Sequence, residues 1–453
     1  MKGGGKTGHW APIEAGYGRI GHSAFALFAR SLYMRTLHIL IVGRVAALLA
    51  AGWLLSPVVL AQPEPLTLAE AVEIALAAED PEFERFTARA EALEQRAVAD
   101  AQLPDPKITA EVANVPTDSL EFDEDGMTQA ARVGLRQEFP AGETLKIRGQ
   151  QRRAEAGAEH AGREAALREV ALATRSTWLD LVYQTRAIRI VSASREAIDK
   201  QIDSLLARYA TGRMHAQDVS RTQLELSLLD DRLVEHRRLA DIAREALARY
   251  IGREAFRPLP EAVPVFSEPK DLTALESQLV EHPQVGVTDA RVEAADLGIE
   301  LAEQAYKPEF AIEAGYGRRT ERADLATVGI TLSLPLFTDK RQDRQRQAAV
   351  HGRSARVLDR MTLLLDLKRQ LEQELDNWQR LNQRIALYRQ VVGNRARETA
   401  EASITTYANS QTDFAELIRS QIAELDVELK LAELETRAAQ SWARLAWLTG
   451  DPS

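Results

Sequence analysis

Pro81 and Pro106 stand 25 positions apart, and so do Pro283 and Pro308. Between the members of each pair runs a helical pattern rich in Ala, Glu and Gln: PEFERFTARAEALEQRAVADAQLPDP in one, PQVGVTDARVEAADLGIELAEQAYKP in the other. At the second proline of each pair the pattern changes to two-residue alternation, KITAEVANV (107–115) and EFAIEAGYG (309–317). A helix cannot continue through Pro104, Pro106 or Pro308, because proline lacks the N–H and its ring clashes with the preceding turn. The residue before each proline is pushed to extended geometry. These three prolines are therefore expected to mark helix-to-strand junctions. A chain that makes such a junction twice is internally duplicated, and its fold must be built from two like halves.

The remainder of each half repeats as well. Second strand-like segments, AARVGLRQEF (130–139) and ATVGITLSLPLF (326–337), follow polar loops, so each half holds a β-hairpin. Val133-Gly134 and Pro140 correspond to Val328-Gly329 and Pro335. Two very long helical patterns come next, at roughly 143–208 and 339–406, each about 100 Å if unbroken. Leu167, Val170, Leu181, Ile188, Val191, Ile198, Ile202 and Leu205 keep one 3-4 register, as do Leu364, Leu367, Leu371, Trp378, Leu381, Ile385, Tyr388 and Val392, which is coiled-coil spacing. In the closing helices, Val219, Leu229, Leu233, His236, Ala240 and Leu247 map by an offset of 198 onto Leu417, Val427, Leu431, Leu434, Ala438 and Leu445. Because His236 maps to a leucine, it reads as a seam residue rather than a metal ligand. The expected organisation is a first repeat at 62–256, a Pro-rich linker at 257–270 and a second repeat at 271–453.

Residues 1–61 read as an N-terminal extension with an export signal. From Met34, an alternative start, a basic residue precedes an apolar run that ends in small residues before Gln62. The alternative is an uncleaved anchor, but the run is broken by Pro57 and short for a span. Without residues 1–61, which hold six basic and one acidic residue, the net charge falls from −10 to −15. So acidic a chain argues against nucleic-acid binding. With no cysteine there is no disulfide, thiolate site or Cys nucleophile. No catalytic constellation, metal-ligand spacing or cofactor motif is found, and an enzyme is not expected.

Strands of nine to eleven residues match a tilted bilayer crossing. Only closed barrels satisfy strand backbones in lipid, and four strands per chain cannot close one. Two chains would supply eight strands and three would supply twelve; arithmetic does not choose. A periplasmic structural or adaptor coiled coil would explain the heptads but not the paired strands.

Together these features resemble the TolC-like outer-membrane efflux channels. The resemblance covers 66–450 and rests on LTLAEAVEIAL, the two proline–strand–hairpin units, the turns YATGRMHAQDVSRTQ and YANSQTDFAELIRSQ, and the closing L-T-G. LPDP, NVP, MTQ and EFPAGE are most similar to the heavy-metal branch, the cobalt–zinc–cadmium and copper–silver systems. The resemblance implies a mainly α fold: a long coiled-coil helical barrel in the periplasm, with four strands per chain entering a trimeric transmembrane β-barrel in the outer membrane. It implies a passive duct that works with a periplasmic adaptor (membrane fusion) protein and an inner-membrane pump of the RND type. Type I secretion or drug efflux is the alternative use. It places a periplasmic gate at the two helix turns, with Tyr209, Gly212 and Asp218 in one and Tyr407, Ser410 and Glu416 in the other. The family's second acidic ring falls on Arg419, with Arg221 in the first copy, and its basic position falls on Thr412. Asp218 and Glu416 read equally well as compensation of helix N-terminal charge.

Overall fold

The structure, a computed structural model, describes residues 64–78, 80–120, 129–210, 216–320, 322–409 and 411–450. The export signal thus lies outside the described residues. The first repeat contains α1 (Leu68–Ala77), α2 (Pro81–Asp100), β1 (Lys107–Ala113), β2 (Gln129–Phe139), α3 (Thr144–Ala210) and α4 (Ala216–Ile251). The second contains α5 (Leu272–Gln278), α6 (Pro283–Gln304), β3 (Glu309–Arg319), β4 (Leu325–Ser333), α7 (Gln342–Leu387), α8 (Gly393–Ala408) and α9 (Phe414–Thr449). Between the repeats, 257–271 carry no regular structure.

Pro81 and Pro283 begin α2 and α6 rather than merely interrupting a helix, as suits a residue whose missing N–H would be unpaired there. The caps differ in kind. Asp80 accepts from the Glu82 amide at 2.9 Å and is bound by both Arg249 guanidinium nitrogens, at 2.5 and 3.1 Å. His282 stands at the equivalent place, accepts from the Gln284 amide at 3.3 Å and meets the Trp447 ring edge-on at 4.8 Å.

At their far ends α2 and α6 stop at Asp100 and Gln304, one turn before Pro104 and Pro308. The junction is tied across the repeats. Gln304 Oε1 accepts from the Glu143 amide at 3.0 Å and from Lys307 Nζ at 2.8 Å, which pins the start of α3 beside the end of α6. Gly142 fills the corner with φ +52°, and a Cβ there would stand 2.4 Å from that same oxygen.

The strands form one antiparallel sheet in the order β1-β2-β3-β4. Each hairpin pairs internally, and β2 pairs with β3 from Gln129↔Arg319 to Phe139↔Phe310, although four helices separate them in sequence. Two strands end earlier than the sequence pattern. β1 stops before Asn114, whose φ of 58° leaves extended geometry, and β4 stops at Ser333, two residues before Pro335, which has no N–H for a ladder.

α3 runs 67 residues, about 100 Å, and is the spine of the chain. Its first half packs on α2 and α6, with Arg152 on Asp100 at 2.8 Å and the Gln151 amide on the Ala294 carbonyl at 3.3 Å. Its middle carries the fully buried Trp178, whose indole donates to the Leu66 carbonyl at 3.1 Å. Its far half packs on α4 and α9 through Val191, Ile198, Leu229, Leu233 and Phe414. Val170, Leu181, Val191 and Ile198 of the predicted seam are buried, as are Leu367, Leu371, Leu381 and Ile385.

The second long helical pattern runs without a break from Gln342 to Ala408, with one irregularity: a π turn over Tyr388–Val392 lies between α7 and α8. One extra residue per turn rotates the following face, which a hydrophobic-spacing count does not register.

Candidate functional site

The sheet places its side chains in two sorted sets. Paired residues of an antiparallel ladder share a face. One face carries Ile108, Val133, Leu135, Ile312, Val328 and Ile330, all at least 42% exposed. The other carries Lys107, Glu111, Arg132, Arg136, Glu138 and Glu313. On that face Lys107 meets Glu138 at 2.8 Å, and Arg132 bridges Glu111 at 2.8 Å and Glu313 at 3.7 Å. Apolar side chains turned to the outside while charges pair on the opposite face is the arrangement of a strand between lipid and a wet lumen. At the end near the helices, Phe139 stacks on Phe310 at 4.8 Å.

The opposite end holds the two helix turns. In the second, Asp413 caps α9 by accepting from the Glu416 amide at 2.8 Å, and the Glu416 carboxylate pairs with Arg419 one turn on. Tyr407 lies edge-on to the buried Phe414 at 5.4 Å, and the Thr406 and Thr412 hydroxyls meet at 3.1 Å. In the first turn Tyr209 is exposed and Asp218 lies in the first turn of α4, with its carbonyl accepting from Thr222 at 2.9 Å. Gly212 and Ser410 lie outside the described residues. Asp413 and Phe414 escaped sequence reasoning, though D-x-x-E before an apolar run signals a capped start.

Between sheet and turns, the two repeats differ at one level. In the first, Val191 packs on Leu229 and Leu233. In the second, a cavity of about 460 Å³ lies beside the π turn, lined by Arg186, Tyr388, Arg389, Arg397, Glu424 and Glu428. Glu435, with 13% side-chain exposure, holds Arg186 and also Arg389, the latter at 2.6 Å. Burial raises the Glu424 carboxyl, with Glu428 adding to it and Arg397, 3.8 Å away, opposing. His236 lies in a seam, with Nδ1 2.8 Å from Gln184 Oε1 and its ring edge-on to Tyr183. Among the described residues, no group of three His, Cys, Asp or Glu could hold a metal, and no helix is long and apolar enough to cross a membrane.

Comparisons with known proteins agree with this geometry. A family model described as Outer membrane efflux protein matches residues 274–451. No curated protein matches by sequence. The crystal structure of the outer membrane protein VceC from Vibrio cholerae is similar at TM-score 0.71 and 18% identity, over 84% of this chain and 96% of that one. A membrane protein from Pseudomonas aeruginosa is similar at TM-score 0.73 and 15% identity, over 84% and 90%. The Campylobacter jejuni CmeC outer membrane channel is similar at TM-score 0.71 and 12% identity, over 84% and 85%. Identities this low show fold alone; the chain has the fold of the outer-membrane channels, and its second repeat carries the sequence pattern of the outer membrane efflux proteins.

Proposed function

We infer that this chain is a TolC-like subunit of a trimeric outer-membrane duct for efflux. The carrying observation is the sheet: apolar and exposed on one face, charged on the other, with β1 and β4 unpaired at its edges among the described residues. In lipid every backbone amide needs a partner, so those edges call for further copies and a closed barrel. The helices extend the barrel into a periplasmic tunnel. Solute passes through the lumen without covalent chemistry.

The turns at Tyr209–Asp218 and Tyr407–Arg419, including Gly212 and Ser410, form the gate in this reading. Three copies of Asp218 and Glu416 would surround the entrance and favour cations. A periplasmic adaptor would splay the turns, and an energised RND-type pump in the inner membrane would supply the cargo. The cargo read from LPDP, NVP, MTQ and EFPAGE is heavy-metal cations.

Fractionation followed by planar-bilayer conductance tests the reading. Outer-membrane location with cation-preferring channels supports it, and Asp218→Asn with Glu416→Gln should reduce that preference. A periplasmic oligomer without conductance would sink it. Loss of the gene should sensitise cells to cobalt, zinc, cadmium, copper or silver salts; sensitivity to organic drugs alone, or a secretion defect, would remove the metal assignment and leave the duct.

A further inference from the structure

Two arginines of α3 are drawn out of water with no carboxylate to meet them. Elsewhere, a hydrogen-bonded carboxylate raises the guanidinium pKa of Arg152, Arg195, Arg238, Arg249, Arg257 and Arg360. Among the described residues, Arg168 and Arg175 alone are shifted down, and burial is the cause at both. Arg175 makes no hydrogen bond or ion pair with a described residue. Arg168 donates to the Trp447 carbonyl at 3.3 Å. Glu164 opposes its shift but pairs with Arg163 instead, at 3.4 Å. A cation taken from water without a counter-charge is costly, so it calls for a partner.

Both arginines line one cavity of about 440 Å³ where α1, α3, α6 and α9 meet, together with Leu76, Leu167, Pro283 and Trp447. Arg168, Ala171 and Arg175 fall on one stripe of α3, about 10 Å from first to last. Ala171, small and buried, stands between them and also lines the cavity. The duplicated framework does not require these arginines. Leu167, Leu181 and Ile188 lie 197 positions before Leu364, Trp378 and Ile385, and the same offset carries Arg168 to Leu365, Ala171 to Lys368 and Arg175 to Glu372. There Lys368 lies 4.0 Å from Glu372, so that stripe neutralises itself. The helix caps show the same contrast. In the first repeat Asp80 holds Arg249; in the second, His282 and Trp447 stand at those places and offer Arg168 only a carbonyl.

We propose that this cavity binds a small organic carboxylate, with its charged head on Arg175 and Arg168 and its apolar body against Leu76, Leu167, Pro283 and Trp447. The planar fork of a guanidinium takes a carboxylate through two parallel hydrogen bonds, and Arg175 has all its donors free for one among the described residues. The lining holds Arg168, Arg175 and Glu164, a net of one positive charge, which a single carboxylate neutralises. A phosphate monoester, at about −1.5 to −2, would overshoot it. The cavity has the size and the mixture of apolar wall and few charged groups that suit a small-molecule site. It lies within one chain, so the proposal does not depend on the duct reading. A bound carboxylate would tie α1, α3, α6 and α9 together and stabilise the fold by mass action.

Calorimetric titration of the full chain in detergent with 2-naphthoate tests the site, and one molecule per chain is expected to bind. Acetate, which has the charge without the apolar body, and 2-naphthalenemethanol, which has the body without the charge, should each bind about ten-fold more weakly or less. Arg175→Met should weaken naphthoate binding about ten-fold or more. The ligand-free proteins separate a binding site from a structural ion pair. Met keeps an apolar stem and removes a desolvated charge, so the unfolding midpoint of the Arg175→Met chain should equal or exceed that of the native chain. Naphthoate should then raise the native midpoint and leave the variant's in place. A lower midpoint for the ligand-free variant would mean that Arg175 serves a partner within the fold, and would overturn the site. Absence of binding, equal binding by native chain and variant, or equal affinity for acetate or for the alcohol would overturn it as well.

Discussion

His282 makes the stability of this chain depend on pH in a window where few other groups titrate. Its ring is 1% exposed. Burial, helped by the Arg168 guanidinium and opposed by the Trp447 backbone, lowers its pKa from 6.5 to about 4. The folded state therefore holds the ring neutral between those values, while the unfolded chain takes up a proton. Its contribution is complete above pH 6.5 and is lost as pH falls towards 4. At about 1.4 kcal/mol per pKa unit the gap amounts to about 3 kcal/mol per chain. The perturbation is His282→Asn, which keeps a cap acceptor for the Gln284 amide and cannot titrate. The assay is denaturant unfolding of the detergent-extracted protein at steps from pH 7.5 to 4.5, above the range where carboxylates dominate. Asn costs some stability at pH 7.5 through the lost contact with Trp447. The native chain should then lose its advantage as pH falls, and the two curves should converge or cross. Parallel curves would refute the reasoning, because they would mean that the ring takes up its proton without cost in the fold.

Trp178→Ala should destabilise by about 3–5 kcal/mol through an emptied core site. Trp178→Phe should lose mainly the bond to the Leu66 carbonyl, about 1 kcal/mol; heat sensitivity of the oligomer ranks the two. Val328→Arg, on the apolar face, should cost about 2–4 kcal/mol if it lies near mid-bilayer, and Thr327→Arg, on the opposite face, should be tolerated, as judged by yield in the outer membrane. Gly142→Ala should cost at least about 1–2 kcal/mol for its left-handed backbone, and the displaced Gln304 adds to that. Rapid proteolysis near the α3 start would report the loosened junction.

Much of the architecture is legible in the residues alone because its causes are local. Alternation at 107–115 and 309–317, the prolines before it and the 3-4 registers of the long helices each depend on near neighbours in sequence. The internal repeat compares the chain with itself: the helix cap Asp80 has its counterpart 202 positions on in His282, and Gln102 in Gln304. The candidate gate residues rest on resemblance alone, and the build of the second turn, an Asp413 cap with Phe414 buried edge-on to Tyr407, depends on which apolar faces lie beneath it. The same holds for the π turn at Tyr388–Val392. Its 3-4 spacing is unbroken in sequence, and the Glu435 pairs with Arg186 and Arg389 beside it join residues far apart in the chain.

By itself, the sequence determined that the chain is written twice, where helix gives way to strand and which face of each strand is apolar. The tertiary structure alone decided that the two hairpins join through β2 and β3, in which register, and that His282 is sealed beside Trp447. Periodicity reports what a segment can bury. Which partner covers it is settled when α3 packs between α2 and α6, because that packing brings distant strands to one edge and shuts water out of the cap.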